Sequence, residues 1–127
     1  MTALVLDAGA FIAVEKGDRA TAARLRVAYS NDVNLRTTGV VVAQIWRDPK
    51  GRQAGIARLL KAVEVKAVDE HIGREAGVLL GRCGSGDAID ATVVAVSETG
   101  DVILTSDAGD IEPLVASSSR AVRIIGC

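Results

Sequence analysis

The sequence predicts an α/β protein, a three-layer α/β/α sandwich with a mainly parallel central sheet, formed by a single domain over residues 1–127. Three observations predict it. Short apolar runs alternate with segments of helical periodicity along the whole chain, the pattern of strand–helix–strand units. A length of 127 residues, with 49% hydrophobic and 24% charged residues, suits one packed globule. Aspartates stand where apolar runs stop, and parallel sheets present their ligand-binding groups at the carboxyl ends of strands.

Each element follows in order. ALVLD (3–7) is a short apolar run ending in an acid, as a buried parallel strand would be. GAFIAVEK has helical character. DRATAARLRVAYSND (18–32) opens on Asp18 as an N-cap and repeats apolar residues at Ala22, Leu25, Ala28 and Tyr29. VNLRT is a second strand, and Thr38 caps a helix over GVVVAQIWR despite its β-branched residues. Pro49 and Gly51 punctuate, and RQAGIARLLKAV reads as an amphipathic helix. VEVKAV (63–68) alternates as a strand, and Asp69 caps EHIGREAGVLLGRC. GSG (84–86) is a break; it lacks the lysine and spacing of a phosphate-binding loop. DAIDATVVAVSE is a helix with acids at its start, which suits the helix dipole. DVILTS is a buried strand, DAGDIEPLVASS a short helix or turn, and AVRIIGC a last strand.

The totals exclude several classes. Aromatic residues are 2% of the chain, which argues against a base-stacking platform. A net charge of −1 gives no global attraction for nucleic acid, and any such binding must be local. Cys83 and Cys127 lack metal spacing and read as free thiols of a reducing compartment. The apolar start has no basic flank and contains Asp7, so it reads as neither signal peptide nor membrane span. A cytoplasmic protein is expected, with no membrane partner.

The chemistry is carried by acids. Asp7 ends the first strand, Asp107 follows DVILT, and Asp90 lies near the start of the helix that feeds that strand. A helix running antiparallel to the strands places its N-terminus at their carboxyl edge, so all three carboxylates are expected to converge there. Asp87 lies one turn before Asp90, and Asp110 one turn after Asp107. Clustered carboxylates repel one another unless a cation neutralises them, and oxygen-only ligation suits Mg²⁺ or Mn²⁺. Metal-assisted hydrolysis of a phosphodiester is the chemistry such a site supports. Each acid also has a purely structural reading. Asp7 would end a strand in a turn, Asp87 and Asp107 would be helix caps, and Asp90 and Asp110 solvated first-turn acids.

In these stretches the chain resembles a PIN domain, most closely a VapC-type toxin ribonuclease, over nearly its whole length. VLDAGAFIA resembles the first motif, with Asp7 as its first acid. IDATVVAVSETGDVILTSDAGDI resembles the closing half, in which Asp90 matches the third acid, Asp107 the fourth, Thr105 the small hydroxyl residue before it and Asp110 a frequent extra polar position. The motifs are short, but their order, spacing and chain length together are specific. One departure matters: Gln44 stands where the pattern usually has Glu, and offers only a neutral carbonyl oxygen. The resemblance implies a Mg²⁺- or Mn²⁺-dependent endoribonuclease acting on RNA. It also implies a homodimer inhibited by a small antitoxin whose C-terminal segment lies across the active-site groove. Asp7, Asp90 and Asp107 would hold the metal with Asp87 in support, and Gln44 would join them at the site. A catalytically degenerate domain that binds RNA or an antitoxin is the alternative, motivated by Gln44.

Other residues support or compete with this reading. Arg47, Lys50, Arg52, Arg58 and Lys61 form a basic run that would contact phosphates or simply face solvent. Arg47 is the nearest in sequence to Gln44, and Arg82 is a second, weaker candidate for substrate binding. Thr105 and Ser106 would hold a carboxylate or a metal-bound water. Trp46 is expected in core or dimer packing, and His71 on a helix surface without a catalytic role. A phosphoacceptor module would need a late lysine after its acidic strand end, and none follows Lys66; a phosphatase of the DxD type would need two acids where LDAGAF has one.

Overall fold

The computed structural model describes residues 2–51, 53–84 and 86–127; Arg52 of the basic run and Ser85 of the GSG break lie outside the described residues. Among the described residues five strands, all parallel, form one sheet in the order β3-β2-β1-β4-β5. They are β1 (Ala3–Leu6), β2 (Asn34–Thr38), β3 (Val63–Lys66), β4 (Val102–Thr105) and β5 (Arg123–Gly126). The expected mainly parallel sheet is therefore wholly parallel. The helices are α1 (Ala8–Glu15), α2 (Arg19–Ser30), α3 (Gly39–Ile45), α4 (Ala54–Leu60), α5 (Glu70–Cys83), α6 (Ala88–Ala95) and α7 (Ala108–Ser117).

Parallel strands joined by right-handed crossovers place their helices on a face set by the direction of travel. From β1 the chain moves through β2 to β3, and α1 to α4 pack with one another along that path. It then crosses back to β4 and on to β5, and α5 to α7 form the second group. The result is the three-layer sandwich. No helix among the described residues is long and apolar enough to cross a membrane.

The core lies where the sequence is richest in aliphatic residues. Val5, Leu6, Ile103 and Leu104 of the central strands, Phe11 of α1, Val93 and Val94 of α6, and Ile111 and Leu114 of α7 are fully buried. Burying each such side chain contributes about 1.5–3 kcal/mol. Phe11 is the only phenylalanine, so this interior is built of small interlocking aliphatics.

Local capping follows the sequence closely. Asp18, Thr38 and Asp69 each accept a hydrogen bond from the first turn of α2, α3 and α5. Some boundaries differ: α4 spans Ala54–Leu60, shorter than the helix expected over RQAGIARLLKAV. The helix expected over GVVVAQIWR stops at Ile45, and Trp46 is extended. The cause is Gln53, whose Oε1 accepts from the N–H of Arg47 at 2.7 Å and of Asp48 at 3.1 Å. Its Nε2 donates to the Ile45 carbonyl and to Glu15, both at 3.0 Å. Trp46 still packs against the core, as expected. The segment DAGDIEPLVASS is a full ten-residue helix through Pro113, held by buried Ile111 and Leu114.

Candidate acidic active site

β1 is the strand from which the sheet is built in both directions, so the carboxyl ends of β1 and β4 flank a topological switch point, where open parallel sheets leave a crevice. The register pairs Leu6 with Leu104 and so sets Asp7 beside Thr105. The N–H of Asp7 donates to the Leu104 carbonyl at 3.3 Å.

Asp7 is 7% exposed and caps α1, its Oδ1 accepting from the Ala10 N–H at 3.2 Å. Its Oδ2 accepts a short hydrogen bond from the buried hydroxyl of Thr105. That same hydroxyl oxygen accepts from the N–H of Asp107 at 2.9 Å. Thr105 thus ties the two acids' loops together. Burial pushes the Asp7 carboxyl above its ordinary range, against the hydrogen bonds of Thr105, Ala10 and Gly9, and repulsion from Asp107 adds to the rise.

Asp87 is the N-cap of α6, its Oδ1 accepting from the N–H groups of Ile89 at 2.8 Å and Asp90 at 3.1 Å. Asp90 is half-buried in the first turn and accepts no cap bond itself. Its carboxyl is pushed up to about 6, first by burial and then by the charges of Asp87, Asp7, Asp110 and Asp107. Asp107 occupies the N-cap position of α7, yet its side chain makes no cap hydrogen bond. Its carboxyl stands beside that of Asp110 and raises it above the ordinary range.

The structure therefore draws Asp7, Asp87, Asp90, Asp107 and Asp110 to one edge, with Thr105 beneath them. Among the described residues no ion pair involves any of the five. Every charge acting on Asp90 raises its pKa, and none lowers it. All the donors are oxygens, the set that a hard divalent cation takes. The acids are spread wider than a closed ligand shell: among the described residues no three metal-ligating side chains stand close enough together to grip an ion as they are placed.

The other expected residues are not tied to this cluster. Gln44 lies exposed in the last turn of α3 and makes no side-chain hydrogen bond among the described residues. Arg47, just past α3, turns back towards it, its Nη1 donating to the carbonyls of Ala43 at 2.7 Å and Trp46 at 2.9 Å. Arg82 ends α5 and lines a cavity with Arg74, Ser118 and Arg120. Ser106 is exposed beside Gly9 and makes no side-chain hydrogen bond among the described residues. His71 sits on the surface of α5, paired with Glu75 at 2.9 Å.

Sequence reading missed Gly9, which the fold presses against Ser106. The signal available was its place, two residues after the acid that ends β1.

No protein-family model matches the chain, and no curated protein matches it in sequence. Solved structures do match its fold over the full length. A chain in the crystal structure of VapBC2 from Rickettsia felis, bound to a DNA fragment from its promoter, superposes with a TM-score of 0.73 at 12% identity, covering 99% of both chains. A chain of DNA-bound VapBC from Salmonella typhimurium gives a TM-score of 0.72 at 16% identity, covering 99% of this chain and 98% of that one. At such identities the likeness is one of fold.

Proposed function

We propose that this chain, with its PIN-like fold, is a metal-dependent endoribonuclease of the VapC toxin type. The observation that carries the reading is the uncompensated acidic edge at the switch point, where Asp90 is lifted to about 6 by burial and four neighbouring acids. A phosphodiester would be repelled from such an edge unless a cation bound first, and a cation would also relieve the repulsion. Asp7, Asp90 and Asp107 would hold a Mg²⁺ or Mn²⁺ ion, with small side-chain movements to close the shell and with Asp87 and Asp110 in support. When bound, the ion would lower the pKa of a water and offset charge on the phosphate.

The chain's own residues have definable tasks. Thr105 orients the Asp7 carboxylate and fixes the Asp107 backbone through its single hydroxyl. Asp87 holds the first turn of α6 so that Asp90 projects at the crevice. Metal-bound Asp90 would be deprotonated throughout the neutral range, because a cation reverses the electrostatic cause of its raised pKa.

The test is a Mn²⁺ titration by calorimetry together with an RNA cleavage assay, comparing the parent with an Asp7→Asn/Asp90→Asn double variant. Binding and cleavage in the parent, both lost in the variant, are expected. Cleavage by the variant at the parent rate would refute the site. A degenerate binding module is the second reading, favoured by the exposed, unbonded Gln44. Metal-dependent cleavage by Gln44→Glu, with an inert parent, would establish it.

A small antitoxin is the proposed partner, supported by the fold's likeness to chains of VapBC complexes. Between α2 and α4 lies an apolar groove of about 320 Å³, lined by Val14, Leu25, Tyr29 and Leu59 and flanked by Arg26 and Arg58. Its chemistry fits an amphipathic segment with an apolar face and acidic flanks. Co-purification with the product of a short neighbouring reading frame, weakened by Arg26→Glu/Arg58→Glu, is the expected result. A homodimer is proposed with it, to be read from sedimentation of the purified chain.

A further inference from the structure

Gly9 lies in the first turn of α1 with ordinary helical backbone, so its conformation does not demand glycine. Its surroundings do. A Cβ built there would stand 2.0 Å from Ser106 Oγ, 2.5 Å from Ser106 Cβ and 2.9 Å from the Ser106 backbone nitrogen. Distances below about 3.0 Å cannot be sustained, so any side chain at position 9 must move the Thr105–Asp107 turn or α1 itself. The α1 side is the stiffer of the two, because Phe11 and Ala10 are fully buried and Asp7 caps the helix. Ser106 and Asp107 are exposed, and the Asp107 side chain makes no cap bond, so the turn is the part that yields.

We propose that Gly9 is a positioning residue: the absence of a side chain lets the Ser106–Asp107 turn close on α1, and this approach sets the spacing between Asp107 and Asp7. The proposal rests on the metal-site reading for its consequence, but not for its geometry. Thr105 is anchored within β4 and the sheet register, so it fixes the start of the turn. Beyond it the N–H of Asp107 is held by Thr105 Oγ1 and its carbonyl accepts from the N–H groups of Asp110 at 3.2 Å and Ile111 at 3.3 Å, while the contact at Gly9 sets how closely the turn approaches α1. An obstacle at position 9 pushes Ser106 outward, and Asp107 follows as its chain neighbour.

The test uses Gly9→Ala, Ser106→Gly and the double variant in the full chain. Ser106→Gly removes the Oγ and Cβ obstacles and leaves the one at 2.9 Å to backbone nitrogen, so substantial though incomplete recovery is expected. In the metal-free protein, the Asp107 amide resonance should move in Gly9→Ala and return towards its parent position in the double variant. Mn²⁺ affinity, by calorimetry, should fall by about tenfold or more in Gly9→Ala, as for the loss of a residue that orients a ligand, and recover in the double. An Asp107 amide that stays in place in Gly9→Ala would overturn the proposal, as would a double variant that recovers neither resonance nor fold. If the parent itself binds no Mn²⁺, the metal-site reading fails, while the amide shifts still decide whether Gly9 positions Asp107.

Discussion

Asp7 and Asp101 are the two aspartates buried among the described residues, and they sit at opposite ends of the same sheet. Asp101 precedes β4 at the amino edge. Its Oδ1 accepts from the Ala3 N–H at 2.8 Å, and its Oδ2 accepts from the Glu98 N–H at 2.8 Å and from Arg36 Nη1 at 3.1 Å. Arg36 is in turn held by the Val96 carbonyl at 2.9 Å and by Glu64 at 3.1 Å. Asp7, at the carboxyl edge, has hydrogen bonds from Thr105, Ala10 and Gly9 and the acids Asp107 and Asp90 nearby, and among the described residues it makes no ion pair. One end of the sheet is balanced internally and joins β1, β2 and β4. The other is left with charge that the fold does not offset. A buried Asp7 and a half-buried Asp90 without a counter-charge are costly, and this imbalance is what supports the proposed cation site at that edge.

The largest effect should come from unbalancing the amino edge. Asp101→Ala would strand Arg36 and two backbone N–H groups, and should cost about 3–5 kcal/mol in chemical denaturation. A loss under about 1 kcal/mol would mean that Arg36 and Glu64 suffice without it. Next, supplying a cation to the carboxyl edge should stabilise the parent by about 2.7 kcal/mol at a free Mn²⁺ concentration a hundred times its Kd. Asp7→Asn/Asp90→Asn should show no such gain in thermal unfolding; an equal gain would place the bound ion elsewhere.

A smaller effect tests the sign of the imbalance. Asp90 titrates near 6 in the folded protein against an ordinary 3.8, so its contribution to stability is fully present below about pH 3.8 and is lost as pH rises through 6. In metal-free buffer at pH 7.5, Asp90→Asn should therefore stabilise the fold, by about 1 kcal/mol after allowance for its half-exposed position. Glu64, beside Arg36, works the other way. Asn34 and then Arg36 hold its carboxyl below the ordinary 4.5, so its contribution is present above that value and fades as pH falls. A pH profile of unfolding in which Asp90→Asn changed nothing between pH 4 and 7.5 would contradict the electrostatic picture. The smallest effect belongs to a surface acid in the first turn of α5. Glu70 pairs with Arg74 at 2.7 Å, but both side chains are more than three-quarters exposed. Glu70→Ala should cost no more than about 0.5 kcal/mol.

Much of this was legible in the residues. Asp18, Thr38 and Asp69 announced three helix starts because a cap is a local device, settled within a few residues of the chain. The end of α3 was not legible, because Gln53 replaces its hydrogen bonds from eight residues beyond Ile45. Arg47 looked free for substrate, yet part of its guanidinium is taken up by the carbonyls of Ala43 and Trp46 at the end of α3. Gly9 looked like one small residue among several until the fold brought Ser106 onto it.

The stretch from Gly86 to Asp110 separates the two kinds of information. It carries Asp87, Asp90, Asp101, Asp107 and Asp110. The sequence by itself determined that strands and helices alternate, that Asp7 and Asp107 follow strands and that Asp87 and Asp90 open a helix, since period and capping are short-range properties. Only the tertiary structure decided that Asp101 belongs to a different site. β4, four residues and roughly 13 Å long, separates it from Asp107 at the other end of the sheet, and Arg36, 65 residues away in sequence, supplies its counter-charge. Strand order and register place those groups, and they depend on long-range pairings that no local pattern encodes.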